Sequence, residues 1–183
     1  MPTSTKKSHS KFTELLHTQI RNEFHASHQY VALAVWFDKE DLPRLAKHFY
    51  AQALEERNHA MIIVQYLMDN DQHVTIPHVD EVRNDFSKAE ELVELALKQE
   101  KEVTTDITSL AKAARDEDDY QGEQFMQWFL KEQVEEVSQM STLLNVIKRS
   151  NGNLFDVENF LAREDLGDGG DDPTMPSVAG GAL

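Results

Sequence analysis

Carboxylate, imidazole and amide side chains interrupt the apolar stripes of four helix-like segments at matching positions. A lone Glu in the first segment is followed 33 residues later by a polar pair at positions i and i+3 of the second, and the third and fourth segments repeat this pattern with the same offset. On a helix that spacing puts both members of a pair on one face, about one turn apart. We therefore expect six polar groups to converge near mid-bundle. They are Glu23, Glu56, His59, Glu100, Gln133 and Glu136.

Burial of this set requires a counter-charge. An unpaired carboxylate in an apolar interior costs several kcal/mol and normally takes up a proton instead. No Lys or Arg lies on the four stripes, so a bound multivalent cation is the natural partner. Oxygen-rich ligation with a single imidazole suits iron or manganese, and four carboxylates can balance two divalent ions, with Glu56 placed to bridge them. Each residue taken singly is more often a boundary position facing water, but that explanation must repeat the same error on four helices.

Apolar residues recur at spacings of three and four over four long segments rich in Ala, Leu, Glu, Gln and Lys, which predicts an all-α four-helix bundle. Short connections favour two antiparallel hairpins, and the long stretch 70–86 predicts a crossover that brings the third helix in parallel to the second. A short fifth helix is expected after the Asn151-Gly152-Asn153 stop. The predicted helices span 10–38, 43–69, 88–115, 119–149 and 154–163.

The chain should form one domain. Its 183 residues, 40% hydrophobic and 28% charged, suit a globular protein with a single core. We predict an N-terminal extension at 1–9, a helical domain at 10–163 and a flexible, Gly- and Asp-rich tail at 164–183.

Charge and cysteine content exclude several classes of function. With no cysteine and a net charge of −15, thiolate metal sites are excluded and unaided nucleic-acid binding is disfavoured. No segment has the length of apolar residues that a secretion signal or a membrane span requires, so a cytoplasmic protein without membrane contact is expected.

The chain resembles a bacterial, non-haem ferritin from Phe12 to Arg163. The resemblance rests on five segments, which are Asn22-Glu23-Phe24 with Tyr30, Glu55-Glu56-Arg57-Asn58-His59-Ala60, Gln99-Glu100, Gln127-Trp128-Phe129, and Glu132 to Glu136. It implies a ferritin-like bundle in a homo-oligomeric shell, a 24-mer, that oxidises Fe(II) with dioxygen and stores the ferric mineral. Arg57, which stands where bacterioferritins carry a haem-binding Met, implies that haem is absent.

The resemblance also assigns roles. It implies that Glu23, Glu56 and His59 ligate a first iron and that Glu56, Glu100 and Glu136 ligate a second. These five residues are the expected catalytic ligands, and Gln133 is the one best interpreted as a close neighbour of the metal. Prokaryotic ferritins tend to have a third iron position, whose additional ligands match Glu55, Glu132 and Glu135. Those three glutamates fit an ordinary solvated helix face equally well.

Some assignments stay open at this stage. Tyr30 fits core packing with a satisfied hydroxyl as well as a redox role beside the metals. Acidic residues around Asp116, Asp119 and Glu123 could concentrate Fe(II) along a route through the shell, or could form a solvated turn. The same ligands could serve a di-iron or di-manganese oxidase of organic substrates or peroxide, or a cage subunit with a degenerate site that only stores mineral.

Overall fold

A computed structural model of the protein describes residues 10–164 and 172–183. These residues form five helices, and the predicted all-α fold is confirmed, with each long helix within a residue of its expected bounds. None of the helices in these ranges is long and apolar enough to cross a membrane. The helices are α1 (Lys11–Lys39), α2 (Pro43–Asp69), α3 (Ala89–Asp116), α4 (Tyr120–Arg149) and α5 (Leu154–Leu161).

Left-handed residues end the four long helices. Asp41, Asp71, Asp118 and Asn151 follow the ends of α1 to α4 with φ between 50° and 57°. Asn and Asp tolerate this conformation better than most residues because their short polar side chains bond locally. Each helix therefore stops at a residue suited to reversing the chain.

The crossover between α2 and α3 runs along the flank of α1. His17 Nε2 lies 3.0 Å from the carbonyl oxygen of His73 near the start of the crossover. Further along, buried Gln29 donates to the carbonyl of Arg83 and accepts from its amide, both at 2.8 Å. The crossover therefore travels in the same direction as α1, so it returns the chain to the end at which α2 began and makes α3 parallel to α2, as predicted.

Two apolar clusters fill the ends of the bundle. One contains the end of α1, the starts of α2 and α3 and the end of α4, with Phe37, Phe49 and Leu143 fully buried. The other contains the opposite ends, including Leu16 and Ile63. On every helix the polar residues singled out from the sequence fall between the two clusters. A polar layer therefore crosses the middle of the bundle, walled by apolar packing on both sides.

A carboxylate of α5 caps the start of α2. Glu158 accepts hydrogen bonds from the backbone amides of Arg44 at 3.0 Å and Leu45 at 2.9 Å, in the first turn of α2. These amides have no partner within their own helix, and the positive end of the helix dipole favours an anion there. A side chain from the fifth helix thus caps the second.

The chain end also lies against the bundle. Asp172 accepts from the indole nitrogen of Trp128 at 3.0 Å, and the amide of Ala179 donates to the carbonyl of Met61 at 3.2 Å. The sequence did not anticipate these contacts of 172–183 within the tail expected to be flexible. Residues 1–9 and 165–171 lie outside the described part of the chain, and the division into extension, domain and tail stays a prediction.

Candidate metal centre

The structure brings five of the six expected residues into two overlapping clusters in the polar layer. Ligand atoms of Glu23, Glu56 and His59 lie within 4.8 Å of one another, and so do those of Glu56, Glu100 and Glu136. Glu56 belongs to both clusters, as a bridging carboxylate must. All five side chains are at most 3% exposed.

The unpaired oxygens of these carboxylates show that the clusters fit metal ions. Buried carboxylate oxygens normally have hydrogen-bond partners, because their desolvation is otherwise uncompensated. Here four glutamates each have one buried oxygen without a hydrogen-bond partner in the described part of the chain. These oxygens are Glu23 Oε2, Glu56 Oε1, Glu100 Oε2 and Glu136 Oε2. Each of the four long helices thus provides one carboxylate oxygen that is available to a hard cation such as iron.

Burial changes the proton affinity of the carboxylates. Desolvation raises the pKa of Glu56 and of Glu136 well above the ordinary range, and neighbouring carboxylates add to it. Burial also raises the pKa of Glu100 to about 7, although a hydrogen bond from Tyr30 acts against the rise. Burial lowers the pKa of His59, but the charges of Glu23 and other carboxylates outweigh that effect and the net shift is upward. Metal binding must therefore displace protons.

Aromatic rings fix the one imidazole of the site. The ring centroids of Trp128 and Phe129 lie 5.6 Å and 5.8 Å from that of His59, both near edge-on. His59 Nδ1 lies 3.4 Å from Glu56 Oε2, a long contact one turn back along α2. The imidazole is thus held in place mainly by packing.

Several hydrogen bonds orient the ligands. Tyr30 donates its hydroxyl to Glu100, which satisfies the buried phenol. Gln133 Oε1 accepts from Thr104 Oγ1 at 2.9 Å, so its oxygen faces α3, in keeping with its interpretation as a close neighbour of the metal. Gln19, which sequence reasoning missed, donates to Glu23 Oε1 at 2.8 Å and is 1% exposed. Its only sequence signal was its position one turn before Glu23.

A third cluster lies next to the first two, on the side that faces residues 172–183. Ligand atoms of Glu55, His59, Glu132 and Glu136 approach within 4.8 Å of one another. Of the three residues suggested by resemblance, the structure thus brings in Glu55 and Glu132. Glu135 is not in the cluster, and its carboxylate lies 4.0 Å from Lys131.

This third cluster borders a cavity of about 370 Å³ beneath residues 172–183. Glu55, His59 and Glu132 line one side, and Asp172 and Met175 line the other. The three clusters are therefore open towards the segment 172–183 and closed by apolar packing at the two bundle ends.

The acids suggested for an iron access route have structural partners. Glu123 accepts from Arg115 Nε at 2.9 Å, Asp116 pairs with Lys112, and Asp119 accepts from the amide of Gly122 at the start of α4. These contacts account for the acids without a metal. The access route stays a prediction.

A bundle of four helices with carboxylates from all four and one histidine at its centre defines the class of di-metal carboxylate bundle proteins. The ferritin-like domain model matches residues 13–150. Ferritin BfrB of Mycolicibacterium smegmatis is 59% identical over 174 residues, covering 95% of this chain and 96% of that protein. A bacterial non-heme ferritin of Staphylococcus aureus is 39% identical over 136 residues, covering 74% and 82%. The chain therefore belongs to the ferritin family and is a bacterial ferritin subunit, which makes iron storage its function.

Solved structures agree on the fold. An open-pore ferritin from Archaeoglobus fulgidus superposes with a TM-score of 0.81 at 24% identity, covering 85% of this chain and 97% of that one. A form of the same ferritin engineered to be closed gives 0.81 as well. These two ferritins and this chain therefore share one helical fold.

Proposed function

We propose that each subunit oxidises Fe(II) with dioxygen at the centre formed by Glu23, Glu56, His59, Glu100 and Glu136. The observation that carries the proposal is the set of four buried, unpartnered carboxylate oxygens in the polar layer. Buried carboxylates without a partner lower the stability of a protein, and well-packed apolar residues of similar volume would not. Their presence together supports a binding site for two iron ions.

The residues divide the work of the site. Glu23 and His59 hold the first Fe(II), Glu100 and Glu136 hold the second, and Glu56 bridges them. Each Fe(II) gives up one electron, and dioxygen takes up the pair together with two protons to leave as hydrogen peroxide. Water then supplies the oxygen atoms of the ferric oxo-hydroxide and releases protons. The protein contributes charge balance, because four carboxylates neutralise two divalent ions. It also contributes fixed spacing, because the packed helices hold the two sets of ligands side by side.

The remaining parts of the proposal concern storage. The ferric product collects as an oxo-hydroxide mineral inside a shell of 24 subunits. The cluster of Glu55, His59, Glu132 and Glu136 serves as a third Fe(II) position between the centre and the cavity beneath the tail. No haem takes part, because Arg57 follows Glu56 where a haem-binding Met would stand.

The central test compares initial rates of aerobic Fe(II) oxidation by the wild type and by Glu56→Ala. Loss of the bridging carboxylate should reduce the rate by at least two orders of magnitude, because each metal loses a ligand and the pair loses its link. Glu102→Ala is the matched control, since Glu102 is an exposed glutamate on α3. Equal rates for wild type and Glu56→Ala would remove the ferroxidase proposal. Gel filtration near 24 times the subunit mass of 21.0 kDa tests the shell, and a monomer or dimer would contradict it.

A further inference from the structure

A buried glutamine lies beside the third cluster. Gln52 is on α2, one turn before Glu55, and is 3% exposed. Its Nε2 donates to Glu55 Oε2 at 2.6 Å. Its other polar atom, Oε1, is buried and has no hydrogen-bond partner in the described part of the chain.

The hydrogen bond to Glu55 fixes the orientation of this amide. The NH₂ group of Gln52 is the donor in this hydrogen bond, so it faces the carboxylate of Glu55. The carbonyl oxygen is then turned away from Glu55, and it is the atom that has no hydrogen-bond partner among the described residues. A buried carbonyl oxygen without a hydrogen-bond donor is unfavourable. A water molecule bound to a cation would satisfy it.

We propose that Gln52 is a positioning residue for the third Fe(II) position, the cluster of Glu55, His59, Glu132 and Glu136. This inference rests on the proposed function, in which that cluster binds iron. The NH₂ group of Gln52 holds Glu55 turned towards the cluster. Its carbonyl oxygen accepts a hydrogen bond from a water molecule on the third ion.

Gln19 provides an internal comparison. It too is a buried glutamine that donates to a ligand carboxylate, Glu23, at 2.8 Å. Gln19 thus orients a ligand of the first iron, and Gln52 orients a ligand of the third position. Because the two glutamines share side-chain chemistry and burial but serve different clusters, each is a control for the other.

The test uses crystals of the full-length protein soaked anaerobically in a series of Fe(II) concentrations, with the iron occupancy of each position measured by anomalous scattering. Gln52→Met keeps the size and flexibility of the side chain and removes both polar atoms. We expect the third position to need on the order of 10–100-fold more Fe(II) for half occupancy, as is typical when a residue that orients a ligand is lost. The two positions that share Glu56 should fill as in the wild type. Gln19→Met should leave the third position unchanged.

Several results would overturn the inference. One is wild-type filling of the third position in Gln52→Met, and another is an equal loss in both variants, which would mean that any buried glutamine acts only through packing. Wild-type crystals decide the question if the variant does not fold, because they must show a water molecule or ion within hydrogen-bond distance of Gln52 Oε1. If, in wild-type crystals, the two positions that share Glu56 bind iron and the third position stays empty, this inference is wrong and the ferroxidase proposal stands. If all three stay empty, the ferroxidase proposal fails as well.

Discussion

Replacing Glu100 by Gln should stabilise the metal-free protein while it damages the metal centre. Burial raises the pKa of Glu100 from its ordinary value of 4.5 to about 7 in the folded protein. The folded state therefore holds this proton more tightly than the unfolded state, and stability is lost as pH rises from 4.5 through 7. Two and a half pH units correspond to about 3 kcal/mol. A neutral amide avoids this cost and can still accept the hydrogen bond from Tyr30.

The assay is thermal unfolding of chelator-treated protein at pH 8 and pH 5. At pH 8 the Glu100→Gln variant should melt about 6–12 °C above the wild type, from 2–4 °C per kcal/mol for a chain of this size. At pH 5 the gain should fall below about 1 kcal/mol, because most of the wild-type penalty has not yet developed. Excess Fe(II) under anaerobic conditions should reverse the order, since the wild type gains binding energy that the variant lacks.

Glu102→Gln is the matched control. Glu102 lies on the same helix, is exposed, and pairs with Lys98 at 3.5 Å. Exposed pairs contribute about 0–1 kcal/mol, so this variant should change little at either pH. A Glu100→Gln variant that is less stable than the wild type at pH 8, or equally stabilised at both pH values, would refute the reasoning that the carboxylate is held at a cost until metal binds.

Two further predictions concern the attachments of the chain end. Glu158→Ala should lower the free energy of unfolding, measured by denaturant titration, by about 1–3 kcal/mol, because two backbone amides of α2 lose their acceptor. Glu158→Gln keeps one acceptor oxygen and should lose less stability in the same titration. Equal losses in the two variants would contradict the capping role. Asp172→Asn should loosen the tail, since Trp128 and Lys131 lose their charged partner, and faster hydrogen exchange at the amide of Ala179 would report it. Unchanged exchange there would show that the tail is held without Asp172.

The sequence predicted the bundle and its buried polar layer because both depend on periodicity. Apolar spacings of three and four set which face of each helix is buried, so polar residues on that face, such as Glu23 and Glu100, could be recognised without coordinates. The equal offset between the two halves of the chain then placed both in one layer. The crossover direction followed from its length, since a stretch of that size can span the bundle.

Side-chain partnerships could not be predicted in this way. Periodicity fixes the face on which Gln52 lies, but not that its amide turns to Glu55 and leaves its carbonyl unpaired, because that choice depends on the rotamers of several helices at once. Glu135 is a second residue whose contacts the sequence could not predict. It lies next to Glu136 in sequence, yet the 100° turn between successive helical residues points it away from the third cluster and towards Lys131.

The sequence alone thus determined the helices, the buried layer and the type of ligand, since these depend on local periodicity and on the cost of burying charge. The tertiary structure alone decided that His59 and Glu136 each serve two clusters, that Glu158 caps a helix more than a hundred residues away, and that residues 172–183 lie over the opening of the centre. These features join side chains distant in sequence. Such contacts arise only when the packed helices fix their relative positions, and no local pattern encodes them.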